Sequence, residues 1–207
     1  MDVARPHAAV SPGIEGEALV VLARTTAPLT GRQIARLVRR GTSASVSAAL
    51  DRLVRQGLVN REHAGSAYLH TLNREHVAAQ IAELMAGLRS ELVRRLRDTL
   101  KGWEPEPFHA SMFGSAARGD GDSESDIDLL IIRPSHIDEE NSVWREQIDH
   151  LSQAVYSWTG NHAGIIEVTE GDLATSSGAA ARIVGELEAD GIDLAGVPLR
   201  GLLRERE

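Results

Sequence analysis

The stretch Gly114-Ser115-Ala116-Ala117-Arg118-Gly119, followed after a short polar loop by Ser125-Asp126-Ile127-Asp128-Leu129-Leu130, decides how the C-terminal half of this 207-residue chain is read. Phe108 to Phe113 ahead of it is strand-like, Gly114-Ser115 is turn material, and a short helix starts at Ala116. A glycine lets backbone come close to a polyphosphate, and a serine hydroxyl with helix N-terminal N–H groups can hold phosphate oxygens. Arg118, one turn later, adds charge or braces the turn. Asp126-Ile127-Asp128 then opens a hydrophobic strand, and alternation puts both carboxylates on one face, roughly 6–7 Å apart. Two carboxylates so placed suit Mg²⁺ (or Mn²⁺), whose shell is completed by water and by the phosphates of an NTP. In a two-metal site one ion activates the attacking oxygen and the other stabilises the departing pyrophosphate.

This pattern resembles the signature of the DNA polymerase β-type nucleotidyltransferase superfamily in its minimal (MNT-like) form, over roughly residues 103–203. The tail Asp190-Gly191-Ile192-Asp193-Leu194-Ala195-Gly196 is similar to the closing segment of such domains. The resemblance implies a small mixed sheet backed by helices, and transfer of a nucleoside monophosphate from a Mg²⁺-bound NTP with release of pyrophosphate. On it, Gly114 and Ser115 meet the phosphates, Arg118 and Gly119 support the turn, and Asp126 and Asp128 hold the metal as catalytic residues. Active members carry a third carboxylate on a later strand. Glu167 in Gly164-Ile165-Ile166-Glu167-Val168 is the candidate catalytic and metal-binding residue, with Glu where Asp is usual; an exposed edge residue with no ligand role is its other reading. Glu170 and Asp172 read as helix N-terminal residues. His109 reads as a satisfied near-surface histidine, and Trp144, Tyr156 and Trp158 as core or dimer packing on a helix over about 138–158.

Moving toward the N-terminus, Gly102-Trp103-Glu104-Pro105-Glu106-Pro107 breaks a long helical stretch with Val77, Ile81, Leu84, Leu88, Leu92, Leu96 and Leu100 at intervals of three and four. Before it, helical patterns appear from Ile14, from Thr30 with Gln33 in a capping box, and from Thr42 or Ser43 to Gln56-Gly57. The runs Leu58 to Arg61 and Ala67 to Leu72 around His63-Ala64-Gly65-Ser66 predict a hairpin. The stretch from Leu29 through Ala49-Leu50-Asp51-Arg52-Leu53-Val54-Arg55 to Val59 resembles winged helix-turn-helix repressors of the ArsR and MarR type. That resemblance implies duplex DNA in contact with the third helix, and two copies on a palindrome. Arg39, Arg40, Ser43, Ser45, Ser47, Arg52, Arg55 and Arg61 are the candidate DNA-binding residues, with His63 near the wing. A protein-interaction or dimerisation module is the other reading of the same pattern.

The expected class is α+β: a flexible arm over 1–13, a winged helix-turn-helix domain over 14–75, a linker helix over 76–102 and a nucleotidyltransferase-fold domain over 103–207. Hydrophobic content of 42% and charged content of 25% are globular, and the absence of cysteine excludes a disulfide framework and thiolate metal sites. Residues 1–101 carry a net charge of +6 and residues 102–207 one of −14, so a polyanion-facing module joined to a cation-holding one is expected. No run reaches the roughly 20 apolar residues of a membrane helix, and no signal-peptide pattern opens the chain, so a cytoplasmic protein is expected, while the homodimer is what the winged-helix resemblance implies. Three functions stay open: a DNA-associated nucleotidyltransferase, a DNA-binding regulator with a nucleotide-sensing or inactive domain, and an antitoxin-type enzyme that modifies a partner toxin with AMP.

Overall fold

Thr30 and Thr42 each precede a helix, and at both the local chemistry closes a reciprocal cap. Gln33 N–H donates to Thr30 Oγ1 while Thr30 N–H donates to Gln33 Oε1; Ser45 plays the same part for Thr42. Such caps contribute about 1 kcal/mol each. They start α2 (Gly31–Leu37) and α3 (Ser43–Arg55). The computed structural model describes residues 1–169, 171–172, 179–198 and 201, with backbone alone for 179–184. It divides into two compact units, one of residues Arg5–Arg89 and one of Met1–Ala4 with the described residues from Ser90 onward.

The first unit holds a 3-10 turn at Pro6–Ala9, α1 (Ile14–Ala23), β1 (Leu29–Thr30), α2, α3, the hairpin strands β2 (Val59–Ala64) and β3 (Ala67–Leu72), and the start of α4 (Ala79–Lys101). β1 and β2 both pair antiparallel with β3. The amphipathic faces read from the sequence form its core: Leu19, Leu22, Ile34, Val46, Leu50, Leu53 and Leu72 pack together. Buried Glu17 accepts the backbone N–H of Arg39 (2.9 Å) and pairs with Arg5 (3.2 Å), fixing the α2–α3 turn from below.

The second unit contains β4 (His109–Met112), α5 (Gly114–Arg118), β5 (Ile127–Arg133), α6 (Ser142–Thr159), β6 (Ala163–Thr169), α7 (Ala179–Asp190) and β7 (Ile192–Gly196). Its sheet has the order β6-β5-β4-β7, with β5 and β6 parallel and β4 antiparallel to both neighbours. This is the mixed sheet that the resemblance implied. One face, with Ala110, Met112, Ile127, Leu129 and Ile131, buries Trp144, Leu151 and Val155 of α6 and Leu92, Leu96 and Leu100 of α4. On the other, Leu130 and Ile132 pack with Ile166, Val168 and Leu187 of α7. β5 is therefore covered on both faces, which is why Leu129 to Ile132 read as an unbroken apolar run between Asp128 and Arg133.

Several expectations are corrected. Residues 1–13 are not a loose arm: Pro6 and His7 are buried in their turn, and Val3 is 1% exposed in the core of the second unit. A segment this short, Met1 to Arg5, carries no helical or strand periodicity to reveal its burial. The stripe on the long helix does not stay on one face. Leu92, Leu96 and Leu100 are buried, while Ile81 and Leu84 are 57% and 71% exposed, and Val77, 92% exposed, lies ahead of the helix. From Ile81 to Leu100 the steps average about 3.8 residues, more than the 3.6 of the helix, so the stripe drifts round its axis. The two units accordingly divide within α4, between Arg89 and Ser90, rather than at the Gly102–Pro107 break. His109 is fully buried, not near the surface; its Nδ1 meets the Val197 carbonyl (2.7 Å), and burial lowers its pKa. Trp144 is core as expected, whereas Tyr156 is exposed and stacks on His162 (5.1 Å). Among the described residues, no helix is long and apolar enough to cross a membrane.

Candidate active site

β4 ends at Met112, and the chain turns through Gly114 at φ +64, a left-handed conformation that glycine adopts without strain. The turn brings Gly114 against Asp128: a Cβ at Gly114 would lie 2.4 Å from Asp128 Oδ2. From the other side, a Cβ at Gly164 on β6 would lie 3.0 Å from Asp128 Oδ1 and 3.6 Å from Cβ of Asp126. The Asp128 carboxylate is thus seated between two glycines, with Asp126 beside it. Sequence alternation predicted the pairing of the two aspartates; the glycine on β6 was missed, although a glycine at the start of a strand is a signal of close approach.

Asp128 has its pKa raised, chiefly by burial, then by the charges of Asp126 and Glu186, with Arg118 opposing. A divalent cation at this pair would remove the same repulsion. The donors are hard carboxylate oxygens, Asp128 on β5 and Asp126 just ahead of it, in a cradle that a Cβ at Gly114 or Gly164 would crowd, and they fit Mg²⁺ or Mn²⁺.

Ser115 is half-buried, and its carbonyl accepts the N–H groups of Gly119 (2.9 Å), Asp120 (3.1 Å) and Gly121 (3.3 Å), which folds the polar loop back on the turn. Gly119, at φ +75, ends α5 in the left-handed conformation. Arg118 is exposed and pairs with Asp120 (3.1 Å) and Asp190 (3.9 Å). Glu186 of α7 acts on both Asp128 and Arg118, yet sequence reasoning did not find it; its i, i+4 spacing to Asp190 was the available signal.

Glu167 is not part of this arrangement. Asp128 pairs with Gly164 and Ile131 with Glu167 in the β5–β6 register, so Glu167 lies three residues along and on the opposite face of the sheet, about 10 Å away along the strand. There its carboxylate accepts from Arg133 Nε (2.7 Å) and Trp144 Nε1 (3.0 Å). The β6 residues that share the Asp128 face are Gly164, Ile166 and Val168, none a carboxylate. Among the described residues, no group of three or more His, Cys, Asp or Glu is placed to hold a metal ion. Asp172 accepts the Thr169 N–H (2.8 Å), whereas Glu170 lies outside the described residues.

In the first unit, Arg39, Arg40, Ser43, Ser47 and Arg55 are exposed. Ser45 is spent in the cap of Thr42. Arg52 is paired with Glu15 (Nε to Oε1, 2.6 Å), and Arg61 is paired with Asp51 (2.6 Å) and lies over the Tyr68 ring.

Solved structures of toxin–antitoxin proteins are among those to which the chain is similar. A toxin–antitoxin with AMP-PNP matches at 19% identity and TM-score 0.34 over 57% of this chain and 82% of that one. Two mutants of the toxin–antitoxin MntA–HpeT match at 18% and 17% identity, with TM-scores of 0.36 and 0.34. They cover 55% and 57% of this chain, and 78% and 82% of those chains. No curated protein matches. Residues 93–170 match the family model described as a nucleotidyltransferase domain, a span from the second half of α4 through β6 that includes Gly114, Asp126 and Asp128. Over residues 93–170 the chain is therefore similar to a nucleotidyltransferase domain.

Proposed function

We propose that the second unit transfers a nucleoside monophosphate from an NTP to an acceptor hydroxyl, with Asp126 and Asp128 as the residues that hold the divalent cation. The observation that carries this reading is the seating of the Asp128 carboxylate between Gly114 and Gly164 beside Asp126. The bond formed joins the acceptor oxygen to the α-phosphorus, the α–β bridging P–O bond breaks, pyrophosphate leaves, and the acceptor proton passes to solvent or a nearby base. A bound divalent cation would supply charge neutralisation of the polyphosphate and of the leaving group. The backbone at Gly114-Ser115 borders the carboxylates and is where the phosphates would lie, with Arg118 flanking. Thermal melts of the full chain test the binding step: millimolar Mn²⁺–ATP raises the melting temperature of wild type and leaves Asp128→Asn unshifted. An equal shift in Asp128→Asn places binding elsewhere.

The first unit we read as a winged helix-turn-helix that binds duplex DNA. Its order of helix, short strand, two helices and hairpin supports this, as do the exposed Arg39, Arg40, Ser43, Ser47 and Arg55 around the start and end of α3. Two copies would present two third helices to a palindrome. Sedimentation of the full chain tests that assembly.

A further inference from the structure

The backbone that carries the two carboxylates is anchored at three points. The Asp128 carbonyl accepts the N–H of Phe113 (3.0 Å), and the Ile127 N–H donates to the His162 carbonyl (2.8 Å). The third anchor is a side chain. Asn161, 3% exposed at the corner between α6 and β6, donates from Nδ2 to the carbonyls of Ser125 (2.8 Å) and Asp122 (3.3 Å). Between these carbonyls the loop is closed on itself: Asp122 Oδ1 accepts from the N–H groups of Glu124 and Ser125 (both 2.9 Å) and from Ser125 Oγ (2.8 Å). The loop is therefore tied into one block, and Asn161 grips it at the residue immediately before Asp126. The same block is held at its start by the N–H of Ala4, which donates to the Gly121 carbonyl (2.9 Å) beside buried Val3. The remaining polar atoms of Asn161 are engaged as well: its N–H donates to Thr159 Oγ1 (3.0 Å), and its Oδ1 accepts from the amino group of Met1.

We propose that Asn161 is a positioning residue for the carboxylate pair, setting through the Asp122–Ser125 block where Asp126 stands relative to Asp128 and so how tightly the site holds a divalent cation. The inference rests on the reading of Asp126 and Asp128 as the cation ligands. Of the three anchors only this one can be removed by substitution without touching the strand ladder. A carboxamide is also the group it requires, because both facing partners are acceptors. An aspartate at this position would confront two carbonyl oxygens with a third acceptor, losing both donated bonds while keeping its size.

The test is a Mn²⁺ titration of the full chain, followed by the electron paramagnetic resonance signal of the free ion, with melting temperature recorded alongside. Asn161→Asp is expected to weaken Mn²⁺ binding by about tenfold, the lower end of what removal of an outer-shell support costs a metal site. Thr159→Val disturbs the same corner, through the bonds of Thr159 Oγ1 to Val155 and Asn161, without touching the loop. It is expected to lower the melting temperature and leave Mn²⁺ affinity within about twofold. Equal Mn²⁺ affinity in Asn161→Asp and wild type overturns the proposal, as does a loss in Thr159→Val as large as that in Asn161→Asp. Asp128→Asn separates the two levels. If it abolishes binding, the site reading stands and only the role of Asn161 is in question; if it changes nothing, the site reading falls and takes this inference with it.

Discussion

Asp128 shows what a single residue contributes to the fold and what it gives up for the site. Burial, then Asp126 and Glu186, hold its pKa above the ordinary carboxylate range. A group whose pKa is raised on folding contributes stability that is fully present below its unfolded value and is lost as pH rises through its folded value. Without metal, Asp128→Asn should therefore melt higher than wild type at pH 7, with the difference vanishing near pH 4, as read by circular dichroism melts across that range. Gly114 makes the complementary case. At φ +64, with a Cβ position 2.4 Å from Asp128 Oδ2, Gly114→Ala should cost about 1 kcal/mol in backbone strain. It should also abolish the melting shift caused by Mn²⁺–ATP, because the carboxylate must leave its seat. The closeness of Gly114, Asp126 and Asp128 was legible in the sequence because it is local: a turn glycine, and two aspartates one alternation apart at the entry to β5. Glu167 was misread because its face depends on the register between β5 and β6, strands that pair across a whole intervening helix. A shift of one residue there inverts every side chain.

At the scale of elements, the misplaced carboxylate has its own work. Glu167 joins β6 to α6 through Trp144 and to β5 through Arg133, all partly or fully screened from water. Glu167→Gln should keep an acceptor for Trp144 and lose the ion pair, lowering stability by about 1 kcal/mol. The Mn²⁺–ATP shift should stay at its wild-type size; denaturant melts with and without ligand measure both. Helix starts at Thr30 and Thr42 were readable because a cap involves residues three apart. The exposure of Ile81 and Leu84 on α4 was not, since it depends on how far the apolar stripe drifts round the helix and on where along it a neighbour packs.

Across the whole molecule, the charge contrast between a basic first half and an acidic second half was plain in composition, and the two compact units follow it closely. Under the DNA reading, the full chain should bind duplex DNA with affinity that falls steeply with salt. Arg55→Ala should reduce the logarithmic salt slope by about one. Arg52→Ala should reduce it less, because Arg52 is already paired with Glu15. Fluorescence anisotropy over a salt series reads both. The central claim concerns the carboxylate pair. Incubating the full chain and metal with labelled ATP, CTP, GTP and UTP, with the chain itself, total RNA and candidate partner toxin proteins as acceptors, tests it most directly. The account predicts labelled product and pyrophosphate from wild type and Glu167→Gln, and neither from Asp126→Asn or Asp128→Asn; transfer that survives in Asp128→Asn, or that is lost in Glu167→Gln while the protein remains folded, would contradict it.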